Sequence, residues 1–313
     1  MNLMQLKYVV EVAQTHSISK AAENLYMNQP NLSRAIKELE ESLGVVLFNR
    51  SPKGITLTRE GEEFLVYARR ILNQMEEVES LFKHGEQAKQ RFSISVPRAT
   101  YAGEAFVRFA QKIDRTRPTE IFYKETNTVR AIRNIMESGY NLGLIRYQSA
   151  HEQQFHMMLE EKGLTGEAIF TFRYMALMSK NDPLAQKKDL RYADLNDYVE
   201  IAHADPYVPA MPMAQVRKAE YVDSIDKRIY VFERTSQYEL LRRVPNTVMW
   251  VSPVPQSILD EYGLVQLNCV DEKREYKDVL VYKKGYVFSR LDELFVKELW
   301  QTCGEYIQAE QQE

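Results

Sequence analysis

Three blocks of apolar residues at helical spacing lie within the first 45 residues, separated by breaks of six or seven residues. The blocks cover residues 3–13, 21–25 and 32–43, and their i, i+3, i+4 periodicity is typical of amphipathic helices. Because such short breaks keep consecutive helices together, we expect the three helices to bury their apolar sides against one another. The pattern predicts a small helical unit in which the second and third helices form a helix-turn-helix.

Residues that favour helix ends stand near the predicted boundaries. We expect Ser19 to cap the second helix and Asn28 the third, because short polar side chains accept hydrogen bonds from free backbone amides. Pro30 falls in the first turn of the third helix, where the missing amide hydrogen costs nothing. Gly44 is predicted to end that helix.

The outward face of the third helix is predicted to be polar. Gln and Asn side chains can pair with adenine edges, and Arg can pair with guanine or with a phosphate. Spacing alone also allows an ordinary alternative, a solvated helix face in a three-helix bundle. The residues on this face are Gln29, Asn31, Ser33, Arg34 and Lys37.

The segment after the third helix is predicted to form a β-hairpin with a basic tip. Residues 46–48 and 55–57 are strand-like, and the turn between them carries Arg50 and Lys53. A basic hairpin after a recognition helix is a wing, which can reach adjacent phosphates or the minor groove. Bulk charge adds little to this argument, because residues 1–91 contain 12 Lys and Arg against 12 Asp and Glu.

Four runs in this segment resemble LysR-type transcriptional regulators: Ala21–Leu25, Asn28–Ile36, Leu39–Arg50 and Leu57–Gly61. The resemblance implies contacts to DNA bases and backbone from Gln29, Pro30, Ser33 and Arg34, with Arg50 in the wing. The full set of predicted DNA-binding residues is Ser19, Asn28, Gln29, Pro30, Asn31, Ser33, Arg34, Lys37, Arg50 and Lys53.

Two positions depart from the usual LysR-type pattern. Asn28 stands where the family commonly has Ser or Thr, and it keeps the ability to cap the helix. Asn31 stands where the family commonly has a small residue. Since it is polar at a groove-facing position, we expect the preferred bases to differ.

A long helix is predicted next, over residues 59–87, with Thr58 as its cap. Apolar residues alternate in steps of four and three, which is a heptad seam that favours pairing with another helix. The alternative is a helix packed on its own domain. Pairing predicts a homodimer, and the resemblance implies that further contacts can give a homotetramer. The seam residues are Phe64, Ala68, Ile71, Met75, Val78 and Phe82.

The remaining two-thirds of the chain is predicted to be α/β. Strand-like and helix-like patterns alternate over residues 92–145, which indicates a parallel sheet with covering helices. One strand is expected over 169–179, and others over 199–202, 229–233, 248–251 and 279–282. Helices are expected over residues 237–243 and 291–307, the second with Leu294, Phe295, Leu299 and Trp300 facing inward.

This segment resembles the effector domain of LysR-type regulators, which has two subdomains and is similar to periplasmic binding proteins. The resemblance implies subdomain I over about 91–163 and 270–303, and subdomain II over about 164–269. The predicted architecture is therefore multidomain: an all-α-rich winged helix-turn-helix over 1–58, the linker helix, and an α/β periplasmic-binding-protein-like effector domain over 91–313.

Ligands of such sheets bind beyond the carboxyl ends of the strands, against helix N-termini. Hydroxyls, helix N-termini and Arg98 together suit a small anion such as a carboxylate. The ordinary alternative is that these are capping and turn residues. The predicted effector-binding residues are Arg98, Thr100, Tyr101, Thr126, Asn127, Thr128, His203, Asp205, Tyr207 and Ser236.

Two features of the second subdomain depart from the family. Residues 244–247 lack the glycine-rich turn that is usual there, and the stretch Asp205–Pro212 is rich in proline. Both bear on the detailed alignment of this subdomain and on the identity of the ligand.

Three other functions are alternatives to a ligand-controlled regulator. An enzyme is disfavoured because the sequence lacks a Gly-rich phosphate loop, HExxH and clustered CxxC motifs. A thiol redox sensor would have to use Cys269 or Cys303, and free cysteines are most often simply buried. An architectural DNA binder has no need of a large α/β domain.

Promoter DNA and a small-molecule effector, possibly anionic, are the predicted partners. No cofactor and no metal are expected. The sequence has no apolar run long enough to span a membrane and no signal-peptide pattern, so we expect a cytoplasmic protein.

Overall fold

The computed structural model describes residues 1–51, 54–83, 89–203, 206–221, 225–232 and 234–310. The chain divides into two compact units. The first unit comprises residues 1–89 together with 136–139, and the second comprises residues 90–135 and the chain from residue 140 onward.

The first unit is a winged helix-turn-helix followed by a long helix. Its elements are α1 (Leu3–Thr15), α2 (Ile18–Asn24), α3 (Gln29–Leu43), β1 (Phe48–Ser51), β2 (Gly54–Leu57) and α4 (Arg59–Lys83). The three predicted helices are confirmed. Their shared core is apolar throughout, and its fully buried members include Val9, Ala21, Leu32, Leu39 and Leu47. Leu43, which was expected to be buried, is 37% exposed because α3 ends beyond this core.

The start of α2 differs from the prediction. Ser17, and not Ser19, is the N-cap, and its hydroxyl accepts a hydrogen bond from the amide of Lys20 at 3.3 Å. Ile18 is buried in the core of the unit, so the helix begins two residues before the predicted position. Ser19 lies exposed in the first turn. Asn28 has the extended backbone of an N-cap, although its side chain makes no capping hydrogen bond.

The wing is a two-stranded antiparallel sheet in which Phe48 pairs with Leu57. Its first strand begins two residues later than predicted, because the chain first crosses α3. There the Glu40 carboxylate accepts hydrogen bonds from the amides of Leu47 and Phe48 at 2.7 and 3.1 Å. Lys53 and the side chain of Arg50 lie outside the described residues.

Helix α4 begins as predicted, since the Thr58 hydroxyl accepts a hydrogen bond from the amide of Gly61 at 2.9 Å. Of the predicted seam, Ala68 is buried within the unit, whereas Ile71 and Val78 are 38% and 53% exposed. Residues 84–88 and the side chain of Phe82 lie outside the described residues. An apolar strip of α4 therefore has no cover within the described part of this chain.

The second unit contains two five-stranded sheets. Its strands are β3 (Gln90–Val96), β4 (Thr119–Glu125), β5 (Leu142–Gln148), β6 (Leu164–Arg173), β7 (Met175–Ser179), β8 (Val199–Ala202), β9 (Lys227–Tyr230), β10 (Thr247–Val251), β11 (Leu264–Leu267) and β12 (Glu275–Lys283). Its helices are α5 (Thr100–Gln111), α6 (Thr128–Glu137), α7 (Glu152–Glu161), α8 (Met213–Glu220), α9 (Arg234–Arg243), α10 (Gln256–Tyr262) and α11 (Arg290–Glu310).

Sheet I has the strand order β4-β3-β5-β12-β6. Strand β3 runs parallel to β4 and β5, as the alternating pattern predicted. Strand β12 returns from the far end of the chain and pairs antiparallel with β5 and β6. Helices α5 and α11 cover one side, where Phe92, Phe109 and Phe295 pack with ring centroids 4.7 to 5.7 Å apart.

Sheet II has the order β11-β7-β10-β8-β9 and is mixed. Strand β8 runs parallel to β10 and β9, while β7 runs antiparallel to β10 and β11. Strand β8 occupies the residues predicted for it. Four elements have no counterpart in the prediction, namely α7, α8, α10 and β11.

One predicted strand is two strands in different sheets. Residues 164–173 form β6, which is paired with β12 in sheet I, and β7 lies in sheet II. The change of sheet falls at Tyr174, not at residue 164, because Ile169, Phe170 and Phe172 are buried in the core of sheet I. The chain returns to sheet I between β11 and β12, close to the expected position.

The last helix also differs in one contact. Phe295 and Leu299 are fully buried as predicted, but Trp300 is 42% exposed, because it falls on the side of α11 turned away from the sheet. Among the helices of the described residues, none is both long enough and apolar enough to span a lipid bilayer.

Gly61 is required where the start of α4 meets the wing. A Cβ atom at this position would lie 2.0 Å from the Leu47 carbonyl oxygen, which also accepts a hydrogen bond from the amide of Thr58 at 2.9 Å. The wing strand and the helix start are therefore in direct backbone contact.

We expect Gly61→Ala to destabilise the first unit by about 1–3 kcal/mol, because the added methyl group must displace backbone. Faster hydrogen exchange of the Thr58 amide would report the effect. Gly304→Ala in α11 is the matched control: nothing lies within 4 Å of its Cβ position, and the change should stabilise the helix by about 0.5–1 kcal/mol. Equal protection of Thr58 in wild type and Gly61→Ala would contradict the proposed contact.

Candidate functional site

The exposed face of α3 carries most of the side chains predicted to meet DNA. Gln29, Pro30, Asn31, Arg34 and Lys37 are exposed, and Ser33 is half-buried. On the opposite face Leu32, Ile36 and Leu39 are at most 1% exposed. The helix is thus held firmly by one side and presents a polar surface on the other.

One cation on this face takes part in an ion pair. Lys37 forms an exposed ion pair with Glu41 at 3.6 Å, one helical turn further along. Such a pair contributes little to stability, so the ammonium group can exchange it for a phosphate at small cost.

Tyr26 is a surface residue that the sequence analysis did not single out. It lies in the turn between α2 and α3, is 98% exposed and has a positive φ of 53°. A large aromatic ring so exposed beside the N-terminus of α3 enlarges the surface available to a partner. No periodicity signals a turn residue of this kind.

The second unit contains a cavity of about 180 Å³ between its two sheets. This is more than ten times the roughly 10–15 Å³ that holds one water molecule. Its walls are formed by the segments that follow β3 and β4, by the end of β5, and by β8 and β10. The cavity therefore lies at the carboxyl ends of parallel strands, where the prediction placed the ligand.

Six of the predicted effector residues line this cavity, namely Arg98, Thr126, Asn127, Thr128, His203 and Tyr207. Three others do not. Thr100 lies with its hydroxyl 2.8 Å from that of Tyr238, Tyr101 is fully buried and donates a hydrogen bond to Asp278, and Ser236 is exposed on α9. Asp205 lies outside the described residues.

The N-terminus of α6 is anchored to the end of β5. The Thr128 hydroxyl donates to the Arg146 carbonyl at 2.9 Å, and it lies 3.2 Å from the amide of the same residue. The Asn127 side chain accepts a hydrogen bond from the amide of Arg130 at 2.9 Å. Both side chains thus have the capping or anchoring role that was weighed as the alternative. The helix N-terminus itself still faces the cavity.

Arg146 forms the principal buried ion pair at the cavity wall. Its guanidinium donates to both oxygens of Asp278, at 2.7 and 2.6 Å, and lies 4.7 Å from the centre of the Phe172 ring. Asp278 is fully buried and also accepts from Tyr101. Burial, together with the charge of Asp278, raises the pKa of the Tyr101 hydroxyl well above its ordinary value.

Two glutamates on the sheet II side of the cavity have different surroundings. Glu200 accepts a hydrogen bond from Arg228 at 2.7 Å. Glu220 accepts from Gln148 and from the Tyr276 hydroxyl, each at 3.0 Å. Burial raises the pKa of both carboxyl groups above the ordinary value, and the hydrogen bonds from Arg228 to Glu200 and from Tyr276 and Gln148 to Glu220 oppose that rise.

Arg98 and His203 link loops around the cavity. The Arg98 Nε donates to the carbonyl of Phe232 at 3.1 Å, which joins a loop of sheet I to one beyond sheet II. The His203 Nδ1 lies 3.3 Å from the carbonyl of Val231 and 3.1 Å from the amide nitrogen of Gln237.

Several lining residues were not predicted. Five of them are aromatic, and Glu220 lies on α8, an element that local patterning missed. They are Arg146, Tyr147, Gln148, Tyr174, Glu200, Glu220, Tyr221, Trp250 and Tyr276.

Comparison with known proteins identifies the first unit. Residues 3–62 match the family model described as "Bacterial regulatory helix-turn-helix protein, lysR family". The chain is 25% identical over 269 residues to the HTH-type transcriptional regulator AlsR of Bacillus subtilis, a match that covers 84% of this chain and 83% of AlsR. Residues 3–62 therefore form a helix-turn-helix domain of the lysR family.

Solved structures of LysR-type regulators share the fold. Full-length CbnR complexed with its target DNA has a TM-score of 0.59 at 20% identity, over 96% of this chain and 100% of that one. LysG from Corynebacterium glutamicum, solved with bound effector Arg, has a TM-score of 0.61 at 15% identity, over 97% and 99%. The winged helix-turn-helix and the two α/β subdomains predicted from the sequence are thereby confirmed.

The structure and the comparisons bear on the alternative functions. AlsR and CbnR are named as transcriptional regulators and not as enzymes, in agreement with the prediction. Cys269 and Cys303 are both buried, and burial raises the pKa of each thiol, so thiolate formation is disfavoured. Groups of acidic, His and Cys side chains that could hold a metal do not occur among the described residues.

We expect Asp278→Ala to destabilise the second unit of the chain by about 3–5 kcal/mol, because it leaves the Arg146 charge buried without its partner. Denaturant unfolding followed by tryptophan fluorescence measures it, since Trp250 and Trp300 both lie in this unit. The exposed pair of Arg108 and Glu305 is the control, and Glu305→Ala should cost less than about 1 kcal/mol. Similar losses in both variants would contradict the importance of the buried pair.

Proposed function

We propose that this LysR-type regulator recognises promoter DNA by placing α3 in the major groove. The observation that carries the proposal is the division of α3 into a fully buried apolar side and an exposed polar side. An α-helix fits the major groove, and Gln, Asn and Arg side chains can read base edges there.

Individual contacts follow from position on the unit. Gln29, Asn31 and Arg34 are proposed to meet base edges, and Lys37 to meet a phosphate. Pro30 and Ser33 would lie against the DNA from the start of α3, where the helix dipole favours a phosphate. Ser19, Asn28, Arg50 and Lys53 are proposed as backbone contacts from α2, the start of α3 and the wing.

The regulator is proposed to act as a homodimer or homotetramer. Exposed apolar residues on α4, among them Tyr67, Ile71 and Val78, form a strip that a second copy would cover. Two paired helix-turn-helix units can then meet the two half-sites of an inverted repeat. A cytoplasmic location follows from the proposed target, since promoter DNA is found there.

The cavity of the second unit is proposed to hold a small effector that carries an anionic group. Support comes from the helix α6 N-terminus at the wall, whose dipole favours negative charge, and from the guanidinium of Arg98. The amides of Thr128 and Val129 donate to no acceptor within the described residues. A ligand that prefers one arrangement of the two sheets would shift the population of that arrangement.

We expect Arg34→Ala to weaken binding to a specific operator by about 1–3 kcal/mol and to relax specificity at one base position. Fluorescence anisotropy with operator and scrambled duplexes, at matched salt concentration, separates the two effects. Arg115→Ala is the control, because Arg115 is an exposed arginine of the second unit. Unchanged operator affinity in Arg34→Ala would refute the role of this residue.

For the effector, we expect at least one carboxylic acid in a metabolite library to raise the melting temperature of the full chain. A Trp300→Phe variant leaves Trp250, which lines the cavity, as the single tryptophan. The same acid should therefore change its fluorescence, and Arg98→Gln should weaken the response while Arg115→Gln should not. A library without a stabilising acid would refute an anionic effector.

A further inference from the structure

The cavity wall contains one carboxylate that no cation contacts within the described residues. The Glu200 carboxylate is paired with Arg228, and Asp278 behind the wall is paired with Arg146. Among the described residues, the Glu220 carboxylate receives hydrogen bonds only from the neutral groups of Gln148 and Tyr276. A buried carboxylate without a charged partner is costly, so this position is suited to receive a cation from outside the chain.

The nearest arginine does not fill that role. The Arg274 guanidinium donates to the backbone carbonyl of Glu220 at 2.6 Å, not to its carboxylate. Its charge is met by Glu272, with which it forms an ion pair. The positive charge of Arg274 is thus shared between Glu272 and the Glu220 carboxylate.

Aromatic rings surround the same part of the cavity. Tyr174 and Tyr276 lie with ring centroids 4.0 Å apart, and the hydroxyl of Tyr276 contacts Glu220. Tyr221 follows Glu220 in the chain, and the Arg228 guanidinium lies 4.8 Å from the centre of its ring. Carboxylate and tyrosine faces together favour a protonated amine, since both attract positive charge.

The proposed anion position lies a short distance away along β5. Thr128 at the α6 N-terminus is bonded to the backbone of Arg146, and Glu220 is bonded to the side chain of Gln148. Thr128 and Glu220 both line the same cavity. A single small molecule can therefore contact both positions.

We propose that the effector is an amino-acid-like zwitterion, with its ammonium group at Glu220 and its carboxylate at the α6 N-terminus and Arg98. The proposal rests on the anionic effector site proposed above and adds the amine and the residue that recognises it. The hydroxyl of Tyr276, which contacts Glu220, then lies beside the ammonium group, and the side chain of the amino acid occupies the remaining volume of the cavity.

The first experiment uses the full chain and the twenty proteinogenic L-amino acids, each tested singly by thermal shift. For the amino acid that stabilises the chain most, calorimetry compares it with two analogues, its deaminated acid and its decarboxylated amine. We expect the amino acid to bind at least roughly tenfold more tightly than either analogue, because each analogue lacks one charge-assisted contact.

The second experiment uses Glu220→Gln, which keeps an acceptor for Gln148 and Tyr276 and removes the charge. We expect the Kd of the amino acid to rise roughly tenfold, whereas the Kd of the deaminated acid stays within experimental error. Glu167→Gln, a change at an exposed glutamate of β6, is the control and should leave both values unchanged. The melting temperature of each variant without ligand verifies its folding.

Three outcomes would overturn the zwitterion while leaving the anionic site intact. The deaminated acid could bind as tightly as the amino acid, or Glu220→Gln could leave the amino acid's affinity unchanged. Failure of all twenty amino acids while other carboxylic acids bind would also overturn it. Failure of every acid, zwitterionic or not, would overturn the proposed effector site as well. The comparison of analogues uses the wild-type chain, so it stays decisive even if Glu220→Gln does not fold.

Discussion

Burial of Leu32, Ile36 and Leu39 against α1 and α2 determines which side of α3 can face a partner. Side chains on a helix are fixed relative to one another, so once these three are inside, Gln29 and Arg34 must be outside. The same core extends to Leu47, and through it the start of the wing is fixed relative to α3. A DNA-binding surface made of a helix and a hairpin depends on this single cluster of apolar contacts.

The cavity of the second unit depends on a different principle, the pairing of buried charges. Asp278 on β12 neutralises Arg146 on β5, and Arg228 neutralises Glu200. Each pair joins two different strands. Within each pair the positive and the negative charge compensate each other. By contrast, the Glu220 carboxylate and the N-terminus of α6 belong to neither ion pair. We propose that a bound effector contacts both of them.

Local patterns predicted well wherever a structural element is set by its own sequence. The helices of the first unit, β3 and β8 all follow from periodicity and cap residues. Prediction was wrong where distant contacts decide. Ser19 was named as a cap in place of Ser17 because the burial of Ile18 depends on the assembled core. The split between β6 and β7 depends on a partner strand about 110 residues later.

The candidate site follows the same rule. Loops after predicted strands were found correctly, and they supplied Arg98 and residues 126–128. Arg146 was missed because its partner Asp278 is 132 positions away, and Glu220 because it ends a helix that no local pattern indicated. Tyr101 was misplaced because helix α5 turns it toward the interior.

Only Tyr174 separates β6 from β7, so one of the two passages between the sheets is a single residue long. Any rotation of one sheet against the other has to be absorbed in the backbone torsions of that residue and in the return segment before β12. The Tyr174 ring also lines the cavity. A molecule in the cavity would therefore contact Tyr174 directly. Because this residue alone connects β6 to β7, a small change in its backbone torsions would rotate one sheet against the other.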